Sequence, residues 1–270
     1  MKEDDFGDRM RAYEAVETGR KFDPALPVYA RIDGRGFSKF TSDMEKPFDS
    51  RMSAAMIATT QYLVEKNHAK IGYTQSDEIS LIFVAEEGSQ LVFNGRVQKL
   101  VGVLASMASA AFMRTIAATP GFSHYCDRTP HFDCRVIQLP SKTEAANMLL
   151  WRERDAQKNS VSMAAQSVFS HGSLQKKSTK EMKAMLAEAG VDYDAYPDYF
   201  KRGTFLRRIT EKRALTHDER MAIPEHHRPG EEVTFLRSSV KTIAMPDFTS
   251  VQNREDVVFS GAEPVTHAEN

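Results

Sequence analysis

The sequence has little cysteine, little tryptophan and almost no net charge. Its 270 residues include one tryptophan and two cysteines, Cys126 and Cys134. Two cysteines without a CxxC pair exclude a disulfide framework and the usual zinc spacings, and they favour a reduced compartment. The N-terminus is too acidic for a signal peptide, and no run of about 18 apolar residues stands out as a membrane span. We therefore expect a soluble, cytoplasmic protein with no membrane partner.

The charges are nearly balanced, with 36 Lys+Arg against 37 Asp+Glu, and 41% of the residues are hydrophobic. That hydrophobic content is sufficient for a real core. The bulk charge favours no particular partner, so a nucleic-acid binder would have to use local basic patches.

The most informative stretch is Ile71–Phe83, where two apolar runs flank a short polar tip. The tip carries Asp77 and Glu78, and the alternation after it is typical of a β-hairpin. Upstream, a strand over 28–33 ends in Asp33 and is followed by a glycine turn. Uncompensated carboxylates next to hydrophobic strands repel each other and favour a bound cation.

The pattern along the chain predicts an α+β fold. The expected elements are a helix over 3–20, a strand over 28–33, a helix capped by Asp49 or Ser50, a hairpin over 71–84, a helix from Asn94 to about Ala118 and a strand over 132–139. Phe37–Phe40 keep an alternating apolar pattern. This order is the split βαβ, ferredoxin-like arrangement, in which both helices cover one face of an antiparallel sheet. Asp33 and Asp77 would then be neighbours.

The rest of the chain reads as helical over 144–169 and 179–189, then as a strand over 203–209. The segment from about 215 is rich in His, Pro and charge. It contains two strand candidates, Val233–Leu236 and Val257–Phe259, and we expect it to pack on the surface.

Asp33 and Asp77 are the candidate catalytic residues. Phosphoryl and nucleotidyl transfer depend on positioning and on cations that neutralise developing charge. The two carboxylates, the carbonyl of Gly34 and substrate phosphates would suit Mg²⁺, which prefers oxygen ligands. Each Asp alone is as often structural, since Asp-Gly is a common turn. Glu78 is expected to point away from Asp77 and to act as an ion-pair partner.

The loop Gly34–Ser38 follows the first strand directly, and glycines allow a backbone to approach phosphate closely. The motif is weak by itself, because such turns are common. Arg31 faces the same side as Asp33 and is a further phosphate candidate, although a strand-end arginine is often a simple ion-pair partner.

Three groups of basic residues are less specific. Arg96 and Lys99 lie three apart at a helix start, where spacing alone favours solvated surface charge. The densest basic stretch comprises Lys201, Arg202, Arg207, Arg208, Lys212 and Arg213, and a weaker one Lys176, Lys177 and Lys180. The former is a candidate for contacts to an RNA backbone, although most such runs are solvated faces. None of the histidines is assigned to a metal.

Over most of positions 5–215 the chain resembles the tRNA-His guanylyltransferase family, the polymerases that add nucleotides in the 3′–5′ direction. Five blocks in order carry the resemblance: Arg31–Phe37, Gln75–Glu78 with Phe83, Phe132–Val136, Trp151–Asp155 and Lys201–Thr204. The first two in tandem are the most specific.

The resemblance implies a polymerase-like palm over 1–140, a helical and basic extension over 141–215, and a tail over 216–270. It implies two Mg²⁺ ions held by Asp33, Gly34 and Asp77. Nucleotide contacts would come from Arg31, Gly34, Arg35, Gly36, Phe37, Ser38, Ser76, Arg96 and Lys99. Contacts to tRNA would come from Asn159, Lys180, Lys201, Arg202, Arg207 and Arg208. The implied chemistry is activation of a tRNA 5′ end with ATP, followed by attack of the 3′-hydroxyl of GTP or another nucleotide, in an enzyme that is usually a tetramer.

Two departures point to the prokaryotic-type branch. Only Asn159 remains of an Asn-rich block that eukaryotic members carry after the tryptophan segment, and Ser38 replaces a histidine. That branch is similar in chemistry but prefers templated repair of truncated tRNA 5′ ends, so the choice between repair and non-templated G addition stays open.

Two alternatives remain. A purine nucleotide cyclase uses the same palm with two strand-end aspartates, but would have no need of Trp151–Asp155 or the basic stretch. A non-catalytic RNA-binding relic would have no need of both carboxylates.

Overall fold

The computed structural model describes residues 3–86, 88–230 and 232–266. Within these ranges one antiparallel sheet of six strands runs through the molecule in the order β4-β1-β3-β2-β5-β6. The strands are β1 (Val28–Gly34), β2 (Ile71–Gln75), β3 (Glu78–Phe83), β4 (Phe132–Gln138), β5 (Thr204–Ala214) and β6 (Thr234–Ile243).

Helices flank the sheet and follow its last strands. They are α1 (Glu3–Thr18), α2 (Phe37–Phe40), α3 (Ser50–Asn67), α4 (Val97–Ala118), α5 (Lys142–Gln166), α6 (His171–Leu174), α7 (Thr179–Glu188), α8 (Asp198–Lys201), α9 (His217–Met221) and α10 (Arg254–Phe259). The predicted N-cap of α3 is confirmed, since the Asp49 carboxylate accepts a hydrogen bond from the Arg51 backbone N–H at 2.9 Å. Such caps satisfy one of the free N–H groups of a first helical turn.

The predicted α+β class and split βαβ topology are confirmed. β1 lies between β3 and β4, and β2 lies on the other side of β3. Val28 pairs with Phe83 and Asp33 with Glu78, so the carboxyl end of β1 meets the hairpin tip. This register follows from the two-residue alternation of buried side chains along each strand.

Alternate residues of β1 face two different cores. Ala30 and Ile32 belong to a core formed with α3 and α4, as predicted for the two helices. Tyr29 belongs to a second core on the opposite face, formed with α5 and α10. A third core joins the second half of α5 to α6, α7 and α8. Helix α5 therefore links the sheet to the helical extension.

Helix α4 is long and apolar enough, by length and hydropathy alone, to cross a membrane. The expectation that no such run exists is therefore wrong. The core helix of a soluble protein passes the same test, and here Leu104, Ala108 and Phe112 of α4 are fully buried against the sheet and its neighbours.

We expected the segment after 215 to pack on the surface, but part of it extends the sheet and part of it enters a core. β6 pairs with β5 from Phe205↔Ile243 to Ala214↔Thr234 and extends the sheet. Phe248, Val251 and Val257 are fully buried in the second core. Since α5 alone does not cover this face, the chain returns to complete it. The division at residues 140 and 215 stays a prediction.

Several boundaries differ from the sequence prediction. Phe37–Phe40 form a helical turn, and Val257–Phe259 lie in α10 rather than in a strand, because three apolar residues are too few to distinguish the two. Helix α4 begins at Val97, not Asn94, because Asn94 has a φ of 54° in the left-handed region. The helical region after 140 is one continuous helix, α5.

Candidate active site

Backbone hydrogen bonds hold the end of β1 against the hairpin tip. The N–H of Gly34 donates to the carbonyl of Asp77 at 3.0 Å. Asp33, one residue earlier, pairs in register with Glu78, one residue later. The two predicted catalytic carboxylates are therefore neighbours, although they are far apart in the chain.

The electrostatics of this pair favour a cation. Burial, followed by the charge of Asp33, raises the pKa of Asp77 from 3.8 to about 6. The charge of Asp33 disfavours ionisation of Asp77, and a bound cation would relieve this repulsion. Both lie at the edge of a cavity, where solvent and ligands have access.

Three acidic residues lie in a row across the sheet, because Asp33 pairs with Asp133 on β4 and with Glu78 on β3. Two of the three have basic neighbours. Arg152 of α5 donates to both oxygens of Glu78 at 2.6 Å, and Arg135 lies 3.8 Å from Asp133. The expected ion pair of Glu78 is thus present, but Glu78 lines the same cavity as Asp77 instead of facing away.

At this site, Asp33 and Asp77 are the carboxylates for which the described residues supply no ion-pair partner. In the part of the chain that the structure describes, no group of three or more His, Cys, Asp or Glu side chains is placed to hold a metal ion. A site here would combine two carboxylates with the Gly34 carbonyl and phosphate oxygens. This all-oxygen set fits Mg²⁺, which usually binds one or two carboxylates together with substrate phosphates.

The loop Gly34–Ser38 needs both of its glycines. Gly36 has a φ of 68°, and a Cβ on Gly34 would lie 2.4 Å from the Phe37 ring. The N–H of Gly34 and that of Arg35 already donate to the carbonyls of Asp77 and His131. Positions 36–38 start α2, so their N–H groups have no partner within that helix and are available to phosphate.

Side chains of this loop take different positions. The ring of Phe37 is only 3% exposed and belongs to the core, so only its backbone can contact a nucleotide. Ser38 lines the cavity beside Asp77, whereas Arg35 lines a separate cavity with Lys39 and His131.

Two cavities meet at the hairpin tip. One cavity, of about 520 Å³, lies against the loop Gly34–Ser38 and is also lined by Phe48, Tyr199 and Phe200. The other, of about 420 Å³, lies against α5 and contains Asp33, Glu78, Arg152 and Asn159. Residues that line both are Gln75, Ser76, Asp77, Met163 and Gln166. A substrate on each side of Asp77 would fit this arrangement.

Of the remaining predicted contacts, Ser76, Asn159 and Arg31 lie at or near this site. Ser76 has a φ of 53° at the tip and hydrogen-bonds to the Asp77 carboxylate. Asn159 lines the same cavity as Asp33. Arg31 is on the same face as Asp33, with its guanidinium carbon 5.8 Å from the centroid of the Trp151 ring.

Arg96 and Lys99 do not come near this site. They lie at the start of α4, where Val97 and Gly95 are bonded to the backbone of Arg20 and Phe22. The active-site end of α4 is marked by Phe112, whose ring centroid is 5.6 Å from that of Phe37. Arg96 is about 24 Å away along the helix axis. A nucleotide bound at Asp77 of the same chain is out of their reach.

Most of the basic stretch is engaged within the fold. Arg202 donates to Glu153 at 3.3 Å and to Asp198 at 2.8 Å. Arg207 is buried and donates to Ala262 and Glu263, while Arg208 donates to Ser238 and the Glu65 carbonyl. Lys201 donates to the Asp194 carbonyl, and Lys180 is exposed on α7. The structural alternative fits the three arginines better than a tRNA contact, because each already donates to at least two groups of the protein.

Sequence reasoning missed the role of Arg152, and with it that of Glu153. Glu153 is fully buried, accepts from the Phe248 N–H at 2.7 Å and pairs with Arg202. Burial is the main reason why its pKa rises to about 7. Both residues belong to the Trp151–Asp155 block, so the block was a signal for the site without indicating what its members contact.

The comparisons with known proteins agree with this geometry. A family model described as tRNAHis guanylyltransferase matches residues 7–140. A solved bacterial tRNA(His) guanylyltransferase-like protein in complex with ATP is 36% identical, with a TM-score of 0.70 over 75% of this chain and 88% of that one. Another such structure, in complex with GTP, is 30% identical, with a TM-score of 0.69 over 91% of this chain and 94% of that one. A probable tRNA(His) guanylyltransferase of Drosophila melanogaster is 28% identical over 73% of both chains.

Proposed function

This chain belongs to the tRNA(His) guanylyltransferase family and is a nucleotidyltransferase that adds nucleotides to tRNA in the 3′–5′ direction, and we propose that it does so with two Mg²⁺ ions bound at Asp33, Asp77 and the Gly34 carbonyl. The observation that carries this assignment is the meeting of Asp33 with Asp77, fixed by the bond between Gly34 and Asp77. Such ions, when bound, would neutralise the charge that develops on the phosphates.

The residues of the chain have separate tasks in this proposal. Backbone N–H groups at positions 36–38 bind the triphosphate, and Ser38 and Ser76 flank it. The larger cavity, with Phe48 and Phe200 on its wall, holds the nucleoside. The cavity beside Asp33 and Asn159 receives the 5′ end of the RNA. The Arg152–Glu78 ion pair positions α5 against the hairpin and thereby keeps the second cavity in place.

The substrates in this proposal are tRNA, ATP for activation of the 5′ end, and GTP or a templated nucleotide for addition. The solved relatives in complex with ATP and with GTP support binding of these nucleotides. Cytoplasmic location and a homotetramer are further parts of the proposal; the location comes from the composition, with two cysteines and no disulfide framework, and the tetramer comes from the family resemblance.

The test is incubation with a series of 5′-truncated tRNAs, each nucleoside triphosphate separately, and Mg²⁺. We expect labelled nucleotide at the RNA 5′ end, and none after chelation of the metal. Incorporation that follows the opposing base would indicate repair, and G added regardless would indicate maturation of one tRNA. Incorporation that survives Asp77→Ala would overturn the assignment of the site. Release of cyclic nucleotide without RNA would favour the cyclase alternative.

A further inference from the structure

The row of side chains next to the acidic row is basic. Arg31 of β1 lies directly opposite Arg135 of β4, two residues along each strand from Asp33 and Asp133. Like charges directly opposed across strands destabilise a sheet. Among the residues that the structure describes, Arg31 forms no ion pair. Arg135 lies 3.8 Å from Asp133, and both of these side chains are more than half exposed. Within the described residues, ion pairing therefore accounts for Arg135 but not for Arg31, which lies opposite it.

Trp151, the only tryptophan in the sequence, lies beside this row. It is 50% exposed, although a tryptophan is usually well buried. The guanidinium of Arg152 lies 4.6 Å from the centroid of the Trp151 ring and is held by Glu78. The guanidinium of Arg31 lies 5.8 Å from the same centroid and, among the described residues, is not paired with a carboxylate. One neighbour of the ring is therefore rigid, and the other is able to move when a ligand arrives.

An exposed aromatic ring close to arginines is a combination by which proteins bind single-stranded nucleic acid. Bases stack on the ring, and the cations contact the phosphates. The surface also lies at the correct place, because two residues along a strand separate Arg31 from Asp33 by about 7 Å. An RNA whose 5′ end reached Asp33 would pass directly over it.

We propose that Trp151, Arg31 and Arg135 bind a nucleotide of the RNA substrate close to its reacting 5′ end, with the base stacked on the indole and the phosphate between the two arginines. This inference rests on the proposed function, since it assumes that the RNA end lies at Asp33. It assigns Arg31 to the RNA instead of to the incoming triphosphate.

The single tryptophan allows a direct measurement. Full-length protein carrying Asp77→Asn, which blocks turnover, is titrated with a 5′-truncated tRNA in Mg²⁺ while Trp151 fluorescence is recorded. We expect quenching that saturates with RNA binding, and no change with ATP or GTP alone. Quenching by nucleotide alone would overturn the proposal by placing a nucleotide base on the ring. A ring already shielded from acrylamide in the free protein would overturn it by indicating a second copy of the chain.

Substitutions distinguish the contribution of base stacking to tRNA binding from the contribution of charge. Trp151→Ala should weaken tRNA binding about 5-fold or more, whereas Trp151→Phe, which keeps an aromatic face, should retain most of the affinity. Arg135→Ala should reduce the slope of log affinity against log salt by about 0.7 to 0.9. Arg154→Ala is the control, because Arg154 is exposed on the same helix but contacts Thr249. This substitution should leave the tRNA affinity and its salt dependence unchanged.

A melting curve for each variant guards against misfolding, and Trp151→Phe keeps the stacking test valid if Trp151→Ala unfolds. The proposal would be overturned if Trp151→Phe and Trp151→Ala lost the same tRNA affinity, or if Arg135→Ala left the salt dependence of binding unchanged. Failure here is distinct from failure of the proposed function. Nucleotide incorporation without fluorescence quenching would reject only the stacking of RNA on Trp151. Quenching without incorporation by the unmodified protein would reject the proposed chemistry.

Discussion

Two groups of charged residues behave in opposite ways in this fold. The arginines of the Lys201–Arg213 stretch are dense in the sequence, yet Arg202, Arg207 and Arg208 all donate to groups of the protein itself. Asp33 and Asp77 are far apart in the sequence, yet the sheet register brings them together at the end that also carries Arg31, and among the described residues none of the three has an ion-pair partner. The dense basic stretch is thus used largely for structure, whereas the charges at the end of β1 and at the hairpin tip are left for a ligand.

The strongest test of this contrast is Asp77→Asn. We expect activity to fall about 10³-fold or more, because a group that stabilises transition-state charge is lost. The melting temperature should rise at pH 8, because repulsion with Asp33 is removed. Nucleotide incorporation and thermal unfolding give the two readouts.

Glu78→Gln is the matched change one residue along the chain. It removes the negative charge and one of the two oxygens that hold Arg152 and leaves Asp155, at 3.0 Å, as the ion-pair partner of Arg152, so it should lower the melting temperature. If Asp77→Asn destabilised the protein as Glu78→Gln does, Asp77 would be structural and the contrast would fail.

Arg202→Ala should cost about 3 kcal/mol of unfolding free energy, since it leaves the buried Glu153 without its partner. Chemical denaturation measures this cost. Affinity for tRNA, measured on the folded variant, should not change, because the Arg202 guanidinium is already engaged by Glu153, Asp198 and the Met245 carbonyl. A loss of affinity with normal stability would restore the tRNA-binding assignment.

Glu153 predicts a pH dependence of stability. Burial raises its pKa from 4.5 to about 7, so its contribution is fully present below the unfolded pKa of 4.5 and is lost as the pH rises through 7. Glu153→Gln cannot titrate, so its stability relative to the unmodified protein should improve from pH 4.5 to pH 8, by about 3 kcal/mol. Parallel melting curves across that range would contradict the prediction.

The smallest effects should separate two neighbours in the basic stretch. Arg207→Ala should cost about 1 kcal/mol, because Arg207 is buried and donates to Ala262. Lys212→Ala, at an exposed position of β5, should change stability by less than about 0.5 kcal/mol. Equal effects would mean that burial does not govern the role of these side chains.

The sequence was most reliable where periodicity and turn chemistry are local. The hairpin at 71–83, the strand ending in Asp33 and the cap at Asp49 follow from residues within a few positions of one another. It was least reliable where a partner lies far along the chain. The full extent of β6, of which only Val233–Leu236 was expected, depends on contacts with remote elements. So do the helix at 254–259 and the pairing of Arg202 with Glu153.

The amino-acid sequence by itself determined the strand-helix order, and therefore which carboxylates could meet, because alternation and glycine turns act over short distances. Only the tertiary structure decided which charges are free. It matched Arg152 to Glu78 and Arg202 to Glu153, and among the residues it describes it gave Asp33, Asp77 and Arg31 no such partner. The physical reason is that an ion pair requires atoms within about 4 Å, and residues that are distant in the chain reach that distance only when the sheet and α5 pack together.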